Sequence, residues 1–197
     1  MNDCLRWIIA SLCNAAVTVW MLVILLSEKH KKGAGFFRYF TTLSNVFAMA
    51  GSALILPFCL ISVVSGQASV PGIVQGFKYV SAVSVCVTFL TVMLFLGPTQ
   101  GYPLMFAGDG LYLHLIGPLL SVGSCCFAEK GVPALPAALI GLLPTVIYGT
   151  VYYLQVIVKK RWEDFYGFNR GGKWYISVVG MLLGTAAICI LMSVISG

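Results

Sequence analysis

The chain has 197 residues, of which 59% are hydrophobic and 9% charged, with a formal net charge of +6 and a mean hydropathy of +0.96. A soluble domain carries roughly 25% charged residues, so this chain lacks the polar surface to face water and reads as an integral membrane protein. The positive charge does not point to nucleic acid. It gathers in two short loops beside apolar runs, where it reads as a topology signal, with contact to anionic headgroups as a second role.

Seven cysteines (Cys4, Cys13, Cys59, Cys86, Cys125, Cys126 and Cys189) lie inside or at the edge of apolar runs. Their number is odd and no C-x-x-C spacing occurs, so they read as small apolar residues and not as a disulfide framework or a metal site. With only two histidines, a His-rich metal centre is excluded. No cofactor is expected.

The first apolar run, 5–26, has the ~20 residues that span a bilayer, and no small-x-small cleavage pattern follows it. It is expected to be a retained helix and not a signal peptide. Five more runs follow, so the spans are 5–27, 37–64, 77–97, 111–127, 133–158 and 174–196. The fourth is the shortest. The expected fold is all-α: one polytopic domain over residues 1–197, a bundle of six transmembrane helices. The alternating ~10-residue pattern of an outer-membrane barrel is absent.

Loop charge orients this bundle. Lys29, Lys31, Lys32 and Arg38 fall in the first loop, and Lys159, Lys160, Arg161, Arg170 and Lys173 in the fifth, nine of the twelve basic residues. With six spans both loops share a side, and the positive-inside rule makes it cytoplasmic. Both termini are then extracytoplasmic, in a plasma membrane or bacterial inner membrane. Pro71-Gly72 and Gly97-Pro98 are read as breaks where loops belong, and Lys78 and Glu129-Lys130 as loop edges. No internal repeat is visible, which weighs against a transporter.

Polar residues inside the spans form stripes. Ser81, Ser84, Thr88 and Thr91 share a face of the third span, and Thr145, Tyr148, Tyr152 and Gln155 a face of the fifth. Such stripes turn toward the bundle interior, as interhelical hydrogen bonds or as a substrate lining. Gly180 and Gly184 make a G-x-x-x-G pair that fits close helix packing.

Chemistry is expected where two motifs share a depth. Tyr39-Phe40-Thr41-Thr42-Leu43-Ser44-Asn45 opens the second span, and His114 lies one turn into the fourth. An ionisable group inside a span is costly and reads as functional, with a partner to be named. Thr41 and His114 follow loops on the same side, and so lie in the same leaflet whichever way the protein is inserted. A hydroxyl beside an imidazole is the minimal nucleophile–base arrangement. A helix-start role for Thr41 and a structural hydrogen bond for His114 are the alternatives.

Four neighbours complete the candidate site. Thr42 is the adjacent hydroxyl, but it points ~100° away from Thr41. Asn45, one turn on, can donate to an oxyanion, and Ser44 shares that positioning role. Asp109 can orient the imidazole as a triad acid does, or act as a helix-start carboxylate. The fifth loop, 161–170, mixes charges with aromatics and reads as a site cover or an interfacial anchor.

The Tyr39-Phe40-Thr41 motif followed by Ser44-Asn45, the Leu113-His114 pair in a short span and the six runs resemble the androgen-induced-protein family. Its animal members are multi-pass threonine hydrolases that cleave fatty acid esters of hydroxy fatty acids. Bacterial six-span proteins with a Y-F-T-x-x-S-N motif are the more similar branch. The resemblance implies a Thr41 nucleophile, a His114 base, no cofactor or metal, and a lipid ester substrate in the bilayer. The family's threonine stands one residue nearer its following Asn or Asp, which leaves Thr42 as the alternative counterpart.

The expected function is cleavage of a fatty acyl ester through a threonyl acyl-enzyme. Two alternatives stand beside it. An acyltransferase would pass the same acyl group to a lipid alcohol; a non-catalytic transporter or lipid-binding protein would use His114 as a proton relay.

Overall fold

The computed structural model describes residues 3–67, 69–135 and 137–196, and within them the side chains of all but residues 28–34. Lys29, Lys31 and Lys32 of the first basic loop therefore lie outside the described side chains. The chain folds as α1 (Asp3–Lys32), a 3-10 segment (Gly33–Arg38), α2 (Phe40–Ser65), α3 (Gly72–Gln100), a short α4 (Tyr102–Met105), α5 (112–129), α6 (Ala137–Val158) and α7 (Trp174–Ser196). No strand occurs among the described residues. Every backbone polar group in lipid needs a partner within its own segment, and helices provide it.

Five of these helices, α1 over Asp3–Ser27, α2, α3, α6 and α7, are long and apolar enough to cross a membrane. Helix α5 is not among them. Large apolar side chains such as Val64 (90% exposed), Ile73 (84%) and Leu94 (74%) cover the outside of the bundle, the surface that lipid solvates.

Hydroxyls inside the helices are absorbed locally. Ser11, Thr18, Ser62, Ser84, Thr150 and Thr185 each donate to the carbonyl four residues back, at 2.7–2.9 Å. Helix α2 ends at Gly66, which is left-handed (φ 70°) and returns its N–H to the Ser62 carbonyl. Helix α3 begins after Pro71, as the Pro-Gly pair suggested.

Gly97-Pro98 behaves differently from expectation. It lies inside α3, which runs on to Gln100, because the preceding residues Val92–Leu96 form a π turn. Gly117-Pro118 repeats the pattern in α5 after a π turn over Tyr112–Ile116. A π turn widens the helix and shifts its hydrogen bonds, so the proline ring and its missing N–H are accommodated without ending the helix. The first loop is also shorter than the sequence suggests, since α1 remains helical to Lys32.

The topology follows from contacts at the two ends. At one end, the Tyr166 hydroxyl accepts from the Phe40 amide (2.8 Å) and the Tyr148 hydroxyl donates to the Arg38 carbonyl (2.7 Å). This joins the 159–173 loop to the start of α2. At the other end, Tyr79 near the start of α3 donates to the Ala138 carbonyl at 2.7 Å. Helix α5 connects the ends and runs antiparallel to α1. Tyr112 stacks on Trp20 (5.3 Å) and donates to the Val17 carbonyl, while Arg6 donates to the Ala128 carbonyl at 3.1 Å.

Close backbone approach holds the layers together. A methyl group on Gly51 would collide with the Ser81 hydroxyl, which locks α2 against α3. One on Gly141 would lie 2.8 Å from Cys189 Sγ and 3.0 Å from Val83, where α6, α7 and α3 meet. Gly180 and Gly184 do the opposite of what their spacing suggests: a methyl group added at either would meet no atom of another helix within 4 Å among the described residues. Their ridge faces outward and packs no helix of this chain.

Candidate functional site

Thr41 sits in the first turn of α2, where Tyr39 is extended (φ −90°, ψ 133°) and the chain turns into the helix. Its carbonyl is held twice, by Ser44 Oγ at 3.1 Å and by Asn45 Nδ2 at 2.8 Å. Thr41 lines a cavity of about 270 Å³ bordered by α2, α3, α6, α7 and the 159–173 loop. The wall is mostly hydrocarbon, with hydroxyls from Thr88, Thr91, Thr145, Tyr148, Tyr152 and Tyr166. Thr42, by contrast, is buried (3% exposed) and is not among the lining residues. The two adjacent hydroxyls are thus separated by helix geometry.

Both sequence stripes reach this cavity, Thr88 and Thr91 from α3 and Thr145, Tyr148 and Tyr152 from α6. Ser44 is buried and pairs with Thr88 across α2 and α3 at 2.8 Å, fixing the wall behind Thr41.

The 159–173 loop covers the cavity, and one carboxylate shapes it. Asp164 accepts from the Tyr152 hydroxyl (2.6 Å) and from the amides of Phe168 (2.9 Å) and Asn169 (2.8 Å). Around that anchor the rings of Phe165, Tyr166 and Phe168 pack on Tyr39 and Tyr152 at 4.7–5.8 Å. The Tyr166 hydroxyl ends up between the Phe40 amide and the side chains of Tyr148 and Thr41. Burial pushes the Tyr166 phenol above its usual range, and its hydrogen bonds to Tyr148, Phe40 and Thr41 oppose that shift. It is therefore a neutral hydrogen-bonding hydroxyl at physiological pH.

His114 lies in the opening π turn of α5. Its Nδ1 is 2.6 Å from the Met105 carbonyl oxygen. A carbonyl only accepts, so Nδ1 carries the hydrogen, and the neutral ring presents Nε2 as an acceptor. Gly110 permits this contact: a methyl group there would strike the Met105 carbonyl and lie 3.6 Å from Nδ1.

Asn45 links the two motifs. Its Nδ2 donates to the Thr41 carbonyl and, at 3.0 Å, to the Leu113 carbonyl beside His114. Both amide hydrogens are used, so Asn45 clamps α2 to α5, and serving an oxyanion requires it to release one of these bonds. Asp109 is exposed, and Met105, not Asp109, holds the imidazole nitrogen.

The structure brings the Thr41 backbone and the start of α5 together through Asn45. It gives no hydrogen bond between Thr41 and His114 among the described residues, and His114 is not a lining residue of the cavity. Sequence reasoning missed Tyr166 and Asp164, whose roles depend on how a loop folds back. Tyr148 was visible only as one of a stripe. No family model, curated protein or solved structure matches the chain.

A second polar region lies deeper. Lys78 was read as a loop edge but is fully buried in α3, and Glu129, at the end of α5, is 3% exposed. His114 is therefore not the only ionisable group within the helices. The apparent loop edge at Lys78 arose because α3 starts at Gly72, five residues before the expected 77.

Proposed function

We propose that the chain is a six-span membrane hydrolase that cleaves a fatty acyl ester through Thr41. One observation carries this reading: Thr41, and not Thr42, lines a largely apolar cavity of about 270 Å³, of a character that suits an acyl chain.

In the proposed reaction Thr41 Oγ1 attacks the ester carbonyl carbon and its proton passes to His114 Nε2. That proton then goes to the departing alcohol oxygen as the acyl–oxygen bond breaks. Water, deprotonated by the same imidazole, hydrolyses the threonyl ester and restores the hydroxyl. The Tyr166 hydroxyl, which hydrogen-bonds to Thr41 in the cavity wall, takes the oxyanion role. The tautomer set by Met105 is the one a base at Nε2 needs. The Thr41–His114 hydrogen bond forms with substrate bound, as catalytic contacts often do.

The position of His114 outside the cavity lining favours a second reading, a lipid-binding or transport protein without acyl chemistry. Incubating purified protein with an electrophilic probe that traps nucleophilic hydroxyls separates the two. The hydrolase reading expects a covalent adduct on Thr41, lost in Thr41→Ala with folding preserved, because Ala suits a helix. A wild type that forms no adduct supports the second reading. Product analysis then distinguishes water from a lipid alcohol as acceptor, which excludes or supports an acyltransferase.

Six spans require α5 to cross the bilayer. Its antiparallel run beside α1, from Tyr112–Val17 to Ala128–Arg6, supports that. Both basic loops then face the cytoplasm. Single cysteines placed in residues 33–38 and 159–173, on a background without native cysteines, are expected to resist an impermeant thiol reagent in intact cells. Labelling of one segment but not the other argues against six spans.

A further inference from the structure

Away from the cavity, α1, α2, α3 and α5 enclose a cluster of charged and polar side chains. Lys78 Nζ donates to Ser52 Oγ at 2.9 Å and to Ser121 Oγ at 3.2 Å. Glu129 Oε1 accepts from Asn14 Nδ2 at 2.6 Å and from Ser124 Oγ at 2.5 Å. Lys78, Asn14, Ser52 and Ser121 are fully buried, and Ser124 and Glu129 are 2% and 3% exposed. Asn14 and Ser52 lie near the middle of the α1 and α2 spans, Lys78 two turns into α3 and Glu129 at the end of α5.

Two acceptors in this cluster have no hydrogen-bond partner, Asn14 Oδ1 and Glu129 Oε2. An unpartnered buried acceptor is costly, more so for a carboxylate. Asn14 cannot relieve this by flipping, since its Nδ2 is fixed by the Ala10 carbonyl (2.9 Å) and by Glu129. An ammonium donates three hydrogens, and the two serines take two of those of Lys78.

The opposite charges are anchored one helical turn apart on α5 without forming an ion pair. Among the described residues the only ion pair is Arg6–Asp3, so Lys78 and Glu129 do not meet directly. Their anchors on α5, Ser121 and Ser124, are three residues apart, and such neighbours are ~5–6 Å apart at Cβ. A water molecule bridges groups about two hydrogen-bond lengths apart, and here one spare ammonium hydrogen and two unpartnered acceptors are what it would satisfy.

We propose that this cluster is a buried water site. The bound water accepts from Lys78 Nζ and donates to Glu129 Oε2 and Asn14 Oδ1, completing a water-bridged ion pair that pins four helices. Charge selects water over a metal cation. Lys78 already neutralises Glu129, and a second cation would leave a net positive charge in hydrocarbon. The site is independent of the hydrolase reading and of the Thr41 cavity.

The test uses the full chain in detergent. In the wild type, a structure at about 2 Å resolution is expected to show one peak within hydrogen-bond distance, roughly 2.7–3.2 Å, of all three atoms. Exchanging sodium or potassium for choline is expected to leave the unfolding temperature unchanged. Lys78→Met and Glu129→Gln should each lower that temperature by on the order of 10 °C, while the double variant falls less than either, because one stranded charge costs more than none. A direct Lys78–Glu129 contact, sodium-dependent stability, or additive losses in the double variant would each overturn the proposal. The wild-type measurements decide it even if a single variant fails to fold.

Discussion

The two polar regions of this bundle place hydroxyls in hydrocarbon in opposite ways. Around Lys78 and Glu129 each hydroxyl is spent: Ser52 and Ser121 on the ammonium, Ser124 on the carboxylate. No side chain there faces the 270 Å³ cavity. Around Thr41, nine further hydroxyl-bearing residues border a cavity, and the cover is a loop shaped by Asp164 and tied to α2 through Tyr166. Buried polar groups bonded to one another across helices rigidify a core, whereas the cavity hydroxyls, though bonded to Ser44, Arg38, Asp164 and Phe40, border a space where a ligand can compete for them. The contrast separates the part of the molecule that holds shape from the part able to do chemistry.

His114 belongs to neither region, and it is where the contrast is most easily broken. As the base for Thr41, its replacement by Ala should reduce probe labelling by a factor on the order of 10² or more. Adding Thr41→Ala should then cost little beyond Thr41→Ala alone, since residues acting as one unit are not additive. The wild-type pH profile gives the same answer independently. An imidazole base works only when neutral, so labelling should rise through mildly acidic pH as the ring loses its proton and then flatten. A His114→Ala protein labelled as fast as the wild type reduces the imidazole to a structural donor for Met105.

Asp164 tests the cover with a smaller effect. Replacing it with Ala removes the acceptor for Tyr152, Phe168 and Asn169. Hydrogen bonds to charged groups are worth ~1.5–3 kcal/mol each when buried, and Asp164 is only partly buried. A total loss of about 2 kcal/mol is therefore expected in the loop. Hydrogen exchange should accelerate at the amides of Phe168 and Asn169, while the core amides around Lys78 stay protected. Equal acceleration in both regions would erase the distinction between cover and core.

Much of this arrangement was legible in the sequence, and the omissions have a common cause. Hydropathy located α1, α2, α6 and α7 to within a few residues, because lipid demands long apolar runs whatever surrounds them. The hydroxyl stripes of Thr88–Thr91 and Thr145–Tyr152 pointed inward because helical spacing alone decides it. Lys78 reads as a loop edge because the charge hides the early start of α3 at Gly72, and the partners that absorb it, Ser52 and Ser121, come from other helices. Gly97-Pro98 misled for a related reason, since a π turn one step earlier admits the proline without ending α3. Tyr166 could not be foreseen, because its hydroxyl reaches Phe40 only after a loop 126 residues away folds back.

The smallest expected effect concerns Thr42, and it fixes the register of the site. Thr42 is 3% exposed and is not a lining residue of the cavity that Thr41 faces. Thr42→Ala removes one methyl and one hydroxyl from packed surroundings, a cost of about 1 kcal/mol, and leaves the cavity unchanged. Probe labelling should stay within about twofold of the wild type, since none of the transition-state contacts is lost. If Thr42→Ala silences the protein and Thr41→Ala does not, the nucleophile moves one residue along. The attack would then come from the face of α2 turned away from the cavity, and the acyl chain would need another binding place. A folded protein with both threonines replaced by alanine that still forms the adduct excludes a threonine nucleophile. The hydroxyls of Tyr166 and Tyr148, which share the Thr41 wall, would then be the next candidates, each tested by replacement with Phe.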